Sequence, residues 1–334
     1  MAPAHEVVDE RDDGVVVRGA RIVSTLAPYS DEIAVFPSTL LPVNDEAKPY
    51  AFAFTLPVAT PGLRFICRPS LTAPNVRLRD YPFSARLDEM DCVVIFDDVL
   101  VPWERLFVYR EPALCNMGRL FNETGAMNQI MHQFAIKAVA KAEFLLGLAL
   151  NMTESIAVRE FPQIQNYLNE MINAVEQVKA CIRASEVDAE PGPGNTVLPA
   201  TQPLWASRTT FPSVYPRLVE IIQLIGASGL VMVPSVRELE SERRDEIELY
   251  YQAANLGAER RMELFRVAWD LSCSSFAGRQ TLYERYFSGD PWRLAMMRQR
   301  FYPPQEELKD RVWRFVDRTR ELDREQVQAG GADV

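Results

Sequence analysis

Residues Met90 to Tyr109, MDCVVIFDDVLVPWERLFVY, hold the boundary on which the reading of the fold turns. The core of this stretch, DCVVIFDDVLV, is short and rich in β-branched and aromatic residues, which predicts a strand. Upstream, GVVVRGARIV, YAFAFTLP and LRFICR have the same character and are separated by Pro, Gly and Asn-Asp. The connecting STLAPYSDEIAVFPSTLLP carries Pro28, Pro37 and Pro42, so it reads as a strand interrupted by turns or bulges. Downstream the pattern changes. No proline occurs between Pro112 and Pro162, or between Pro234 and Pro291. After Pro162, the residues Ile164, Leu168, Met171, Ile172, Val175, Val178, Cys181 and Ile182 recur at steps of three and four, one face of a helix. AEPGPGNTVLPATQP reads as a loop within this helical half. RLVEIIQLIGASGLVMVP resumes as helix, and PPQEELKDRVWRFVDRTREL is a charged terminal helix with a polar, frayed tail.

The expected fold class is therefore α+β: a small β domain over residues 1–111, followed by an antiparallel α-helical bundle over residues 112–334. Long amphipathic helices usually need partner helices, which points to a homodimer or homotetramer built through the helical half. A net charge of -10 argues against nucleic acid or an anionic membrane as partner, because both require a basic surface. No apolar run reaches the roughly 18 residues of a membrane span. The N-terminal MAPAHEVVDERDDG lacks the basic and apolar regions of a signal peptide, so a cytoplasmic location is expected. The five cysteines, Cys67, Cys92, Cys115, Cys181 and Cys273, form no C-x-x-C pattern and read as small hydrophobes in a reducing compartment. His5 and His132 are far apart, leaving little from which to build a metal site or a Ser-His-Asp relay.

With the order of segments in view, MDCVVIFDDVLVPWERLFVY resembles the strand and loop that leave the β domain in two-component flavin-dependent aromatic hydroxylases of the 4-hydroxyphenylacetate 3-monooxygenase type. The likeness extends through VVVRGARIVSTLAPYSDE, FPSTLLP, TPGLRFICR, IGASGL, LFRVAWDLS and GRQTLYERYFSGDP, in the family's order. It implies a fold resembling acyl-CoA dehydrogenases, with residues 1–111 as a β-barrel-like middle domain. It further implies reduced FAD from a separate flavin reductase, molecular oxygen, a small phenolic substrate and ortho-hydroxylation to a catechol through a flavin C4a-hydroperoxide. Family members carry a helical domain ahead of the β domain that supplies a catalytic Arg, Tyr and His. The matching part of this sequence begins after them, and His5 does not take that role.

The same resemblance places Thr25, in STLAP, beside the flavin; the alternative is a threonine filling a strand end. Ser38 and Thr39, in FPST, match the pair that holds the substrate's polar tail, against the alternative of an ordinary turn after Pro37. Ala277, Gly278, Arg279 and Gln280 match a flavin-contacting turn, with Gly278 allowing close approach and Arg279 and Gln280 offering donors. Tyr283 borders the cavity or belongs to the core, and Glu284 with Arg285 reads as an interhelical salt bridge. QLIGASG is either a flavin-proximal turn or a helix end at Gly229. His132 shares a helix with Lys137 and Lys141 and reads as a packing or surface residue. Two other functions fit less of the sequence. One is a 4-hydroxybutyryl-CoA dehydratase-like iron-sulfur enzyme, in which His132 would be followed seven residues later by Cys instead of Val139. The other is an oligomeric or flavin-binding remnant without turnover.

Overall fold

The computed structural model describes residues 6–116, 119–300 and 302–330; His5 lies outside them. Nearly all strands precede residue 110. They are β1 (Glu6–Arg11), β2 (Gly14–Thr25), β3 (Glu32–Val35), β4 (Phe52–Pro57), β5 (Leu63–Cys67), β6 (Asp91–Pro102) and β7 (Leu106–Tyr109). One antiparallel sheet has the order β1-β2-β6-β5 and the other β3-β4-β7. Their inner faces share one apolar core that includes Val15, Val17, Phe52, Phe54, Val94 and Phe96.

The strand at the centre of the larger sheet changes phase partway along. Cys92, Val94 and Phe96 point inward, and so do Val99 and Val101. The shift comes from a bulge: Val17 pairs with Val99 but Gly19 with Phe96, so Asp97 and Asp98 together oppose Arg18. Asp98 has φ 53° and its carboxylate accepts two hydrogen bonds from Arg18, at 2.6 and 2.8 Å. Gly62, with φ 86°, turns into β5 where a Cβ would stand 2.6 Å from the Asp97 carbonyl oxygen.

The helical half contains α2 (Pro112–Cys115), α3 (Arg119–Glu123), α4 (Ala126–Ser155), α5 (Pro162–Val187), α6 (Thr201–Val231), α7 (Val236–Leu239), α8 (Arg244–Tyr250), α9 (Ala258–Ser272), α10 (Ser275–Tyr286), α11 (Pro291–Arg300) and α12 (Gln305–Gly330). The short α1 (Ser84–Leu87) lies earlier, between β5 and β6. Cross-links fix the helix directions. His132 near the start of α4 bonds Glu186 at the end of α5, and the Ala200 N–H at the start of α6 donates to Ser185 O near the end of α5. Successive long helices are thus antiparallel. Alanines at 135, 138, 142 and 149 line the buried face of α4 and let its neighbours approach closely.

Three sequence expectations need correction here. On α5 the buried face is Leu168, Met171, Ala174, Val175, Val178 and Ile182, whereas Ile172 is 44% exposed. The presumed loop AEPGPGNTVLPATQP contains a small hairpin, β8 (Glu190–Gly192) against β9 (Thr196–Leu198), turned by Gly194 at φ 66°. QLIGASG holds a sharp break at Ala227, φ 43°, as the turn reading expects, but no helix end at Gly229: helix resumes and α6 runs on to Val231. By length and composition α6 is also apolar enough to cross a membrane, which the sequence reading did not anticipate. It packs against α4, α5 and α9, burying Leu204, Phe211, Leu218 and Ile222, so core burial accounts for its apolarity.

The β half is fastened to the bundle by the Arg68–Met90 segment. Asp270 of α9, fully buried, accepts hydrogen bonds from the backbone N–H of Phe83 and Ser84 and from the Ser84 hydroxyl, each at 2.8 Å. It thereby caps α1 from another element. Asp80 accepts from the Val236 N–H at 3.0 Å, and Arg79 bonds Glu259 and Glu263 of α9.

Candidate active site

Asp91, the first residue of β6, lies opposite Thr25, the last residue of β2, in the strand register. Thr25 Oγ1 donates to Asp91 Oδ1 at 2.8 Å. Arg279 on α10 reaches the same carboxylate twice, Nη2 to Oδ1 at 2.7 Å and Nε to Oδ2 at 3.0 Å. Its Nη1 donates to Glu89 at 2.6 Å, and Arg68 Nε donates to Asp91 Oδ2 at 2.9 Å. Burial by itself would raise the Asp91 carboxyl. The hydrogen bonds from Arg279, Arg68 and Thr25 outweigh it and hold the group well below the usual carboxylate range. The stabilisation this provides is fully present above the ordinary carboxylate pKa and drains away as pH falls below about 4.

A second cluster lies on the neighbouring face of α10. Glu284 is completely buried, and Lys137 and Lys141, one turn apart on α4, donate to it at 2.8 and 2.6 Å. Lys141 also donates to Gln280 Oε1 at 2.9 Å. Tyr283 stacks on Phe287 with centroids 4.7 Å apart, and the Lys137 ammonium sits 3.7 Å from the Phe287 centroid. Burial lowers Lys137 to about 8 despite the attraction of Glu284.

These clusters line two adjoining grooves at the junction of β half and bundle. One, about 650 Å³, is walled by Val23, Thr25, Asp91, Arg279, Tyr283, Tyr286 and Phe287. The other, about 510 Å³, has Tyr283 in common with it and adds Leu26, Phe83, Lys137, Lys141, Phe144 and Gln280. Aromatic faces beside a hydroxyl and fixed charges could hold a flat, partly polar ligand.

The sequence-predicted residues divide among separate places. Thr25 and Arg279 meet in the first groove, and Gln280 lines the second. Ala277 and Gly278 open onto a third cavity, about 750 Å³, on another side of α10. The expected AGRQ turn is a correction: all four residues lie inside α10, near the start of a helix whose cap is Ser274. Gly278 faces open space, with nothing within 4 Å of where a Cβ would stand. Ser38 and Thr39 lie in neither groove. Ser38 Oγ accepts from the Leu40 N–H at 3.2 Å and Thr39 Oγ1 from Arg293 at 2.7 Å, so both hydroxyl protons remain available to an anion.

The expected Glu284–Arg285 pair is half right. Glu284 bridges helices, whereas Arg285 has no hydrogen-bond or ion-pair partner among the described residues and faces the third cavity beside Gly278. Asp91, Arg68 and Glu89 were missed, and the signal for them is slight: an acidic residue opening a strand. Lys137 and Lys141 gave a better one, two cations one turn apart on an alanine-rich helix face.

Comparison with known proteins matches this architecture. Residues 3–108 match the family described as 4-hydroxyphenylacetate 3-hydroxylase N terminal, and residues 117–317 its C-terminal counterpart. The oxygenase component of 4-hydroxyphenylacetate 3-monooxygenase from Thermus thermophilus is 41% identical over 97% of this chain and 66% of its own length. That from Geobacillus sp. is 40% identical over 88% and 59%. The chain therefore spans about two thirds or less of the length of these curated relatives. A crystal structure of such an oxygenase component, complexed with FAD and 4-hydroxyphenylacetate, has a TM-score of 0.90 at 40% identity, covering 95% of this chain and 65% of that one. An archaeal 4-hydroxybutyryl-CoA dehydratase from N. maritimus has the same fold, with a TM-score of 0.80 at 18% identity. With both halves matched in order and the seam between them built as described, the chain belongs to the 4-hydroxyphenylacetate 3-hydroxylase family.

Proposed function

We propose that this chain is the flavin- and substrate-holding portion of an aromatic hydroxylase, one that converts a 4-substituted phenol of the 4-hydroxyphenylacetate type to a catechol in the cytoplasm. One observation carries the reading: the fold follows, at a TM-score of 0.90, a relative crystallised with FAD and 4-hydroxyphenylacetate. The residues present suit a flavin. Tyr283, Tyr286 and Phe287 give an aromatic wall beside the Thr25 hydroxyl, and Arg285 is an unspent cation next to the open backbone at Gly278. Bound reduced FAD would supply the electrons that activate molecular oxygen. A separate reductase as the electron source fits the relatives' description as an oxygenase component.

In this reading Arg279 is a positioning residue. Its donors go to Asp91, Glu89 and, at 3.5 Å, the Thr25 oxygen itself, so it fixes the Thr25 hydroxyl both directly and through Asp91. Because Thr25 gives its proton to Asp91, its oxygen would serve a bound flavin as an acceptor, beside the long contact it takes from Arg279 at 3.5 Å. Arg285 is the candidate for the anionic end of the cofactor, and Ser38 and Thr39 for the carboxylate of the phenol. Titration of FAD into the chain, followed by flavin fluorescence, tests this assignment. Arg285→Ala should weaken binding about tenfold or more, the worth of a charge-assisted hydrogen bond, with thermal stability unchanged. Unchanged affinity would remove Arg285 from the site. FAD binding without catechol formation from 4-hydroxyphenylacetate, reduced FAD and oxygen would favour the remnant without turnover.

The proposed homo-oligomer has a candidate seam in α12. Leu308, Val312, Phe315 and Leu322 are exposed at steps of four, three and seven along one face. Pairing with α12 of a second copy in antiparallel sense sets Val312 against Leu322, Lys309 near Asp323 and Arg311 near Glu325. Phe315→Asp should therefore lower the mass seen by sedimentation without loss of helix. An unchanged oligomer would exclude this seam.

A further inference from the structure

Cys67 ends β5 and Cys92 stands directly opposite it on β6. The hydrogen bonds flanking them show which kind of pair they form. Arg68 N–H donates to the Asp91 carbonyl at 3.1 Å, one residue beyond the pair, and at the other end of the ladder Asp97 N–H donates to Gly62 O at 3.0 Å. Both bonds put Cys67 and Cys92 at a non-hydrogen-bonded position, where antiparallel Cα atoms approach to about 4.5 Å and side chains share one face. That separation falls inside the range a disulfide spans, roughly 4.4–6.8 Å between Cα atoms. The shared face is evident from burial: Leu63 and Phe65, the alternate residues before Cys67, pack on the same core as Cys92, Val94 and Phe96. Cys67 is exposed at the sheet's end, while Cys92 is 5% exposed and its thiol donates to the Ser24 carbonyl at 3.2 Å.

We propose that Cys67 and Cys92 are a peroxide-responsive thiol pair that closes to a cross-strand disulfide beside the Thr25–Asp91–Arg279 cluster. The inference does not depend on the hydroxylase reading; the oxidant is hydrogen peroxide from any source. The exposed Cys67 sulfur, as thiolate, attacks one peroxide oxygen, the O–O bond breaks, and water leaves with Cys67 as sulfenic acid. The Cys92 sulfur then displaces the sulfenic oxygen as a second water, forming the S–S bond. Two thiols lose two electrons and two protons, and one peroxide becomes two waters. Burial, Cys67 and Asp91 all push the Cys92 thiol up, so Cys92 suits the resolving role and Cys67 the attacking one. Closure withdraws the Cys92 thiol from Ser24, the neighbour of Thr25, and pins the ends of β5 and β6 one rung from Arg68 and Asp91.

The test uses the full chain, treated with hydrogen peroxide, alkylated, digested without reductant and analysed by mass spectrometry. The expected product joins the Cys67 and Cys92 peptides, is lighter by the two thiol hydrogens, and separates on reduction. Cys67→Ser should abolish it. Cys92→Ser, whose hydroxyl can still donate to Ser24, should leave Cys67 as a sulfenic acid trapped by dimedone. Oxidation of Cys67 to sulfinic or sulfonic acid while Cys92 remains alkylatable after unfolding would overturn the pairing. So would a bridge from Cys67 to any other cysteine.

Discussion

Glu284→Ala should cost about 3 kcal/mol of stability or more, because it strands two ammonium groups that share one buried carboxylate. Neither lysine can turn fully to water: Lys137 lies over the Phe134, Tyr283 and Phe287 rings, and Lys141 is held by Gln280. Urea unfolding measures the loss, and a change below about 1 kcal/mol would mean that the cluster relaxes into solvent. Glu284→Gln separates charge from shape. Lys137 already sits at about 8 through burial, with Glu284 the main force holding it up. In the wild type the folded state binds fewer protons than the unfolded state between about 8 and the ordinary 10.5. Stability from this group therefore rises with pH across that window, and its burial cost is carried in full below it. In Glu284→Gln the rise should begin at lower pH, visible as earlier onset of Lys137 acylation. An unmoved acylation profile would show that Glu284 does not govern the lysine.

Asp270→Ala is expected to cost a similar amount, about 3–5 kcal/mol. It removes the acceptor of three hydrogen bonds at a site with no exposure, leaving the N–H groups of Phe83 and Ser84 and the Ser84 hydroxyl unpaired. Asp270→Asn should be much milder. Its carbonyl oxygen can take both backbone donors while its amide faces the Ser84 oxygen, which can accept. Equal losses in the two variants would mean that the negative charge, and not the acceptor geometry, fixes the seam.

Much of this molecule could be read before its coordinates. The change from β-like to helical composition after Tyr109 follows directly from proline placement and periodicity, because those patterns reflect local backbone preference. The bulge at Asp97–Asp98 was not legible. DCVVIFDDVLV looks like one alternating strand, and only the pairing with Arg18 shows where the alternation slips. The turn expected at Ala277–Gln280 is instead helix, because Ala-Gly resembles a turn while Ser274 caps a helix that runs straight through it. Thr25 and Arg279 were picked out separately, but the carboxylate that joins them was not. Asp91 gains its importance from a partner 188 residues away, and no local pattern encodes that distance. Glu284 was legible as one end of an interhelical salt bridge, but its partners Lys137 and Lys141 come from α4 and not from the adjacent Arg285.

The route from β5 to β6 has a consequence for how the chain reaches its native state. Adjacent antiparallel strands can be joined by a two-residue turn, yet here the whole Arg68–Met90 segment intervenes and is spent on contacts with α7 and α9. Closing so long a connection costs entropy before any pairing is gained. The contacts at Asp270 and Asp80 shorten the effective loop by tethering its middle to the bundle. The ladder containing Cys67 and Cys92 therefore closes most readily once the helices are in place. The β half, though made before the helical half during synthesis, would complete this part of its sheet only after the helices have packed.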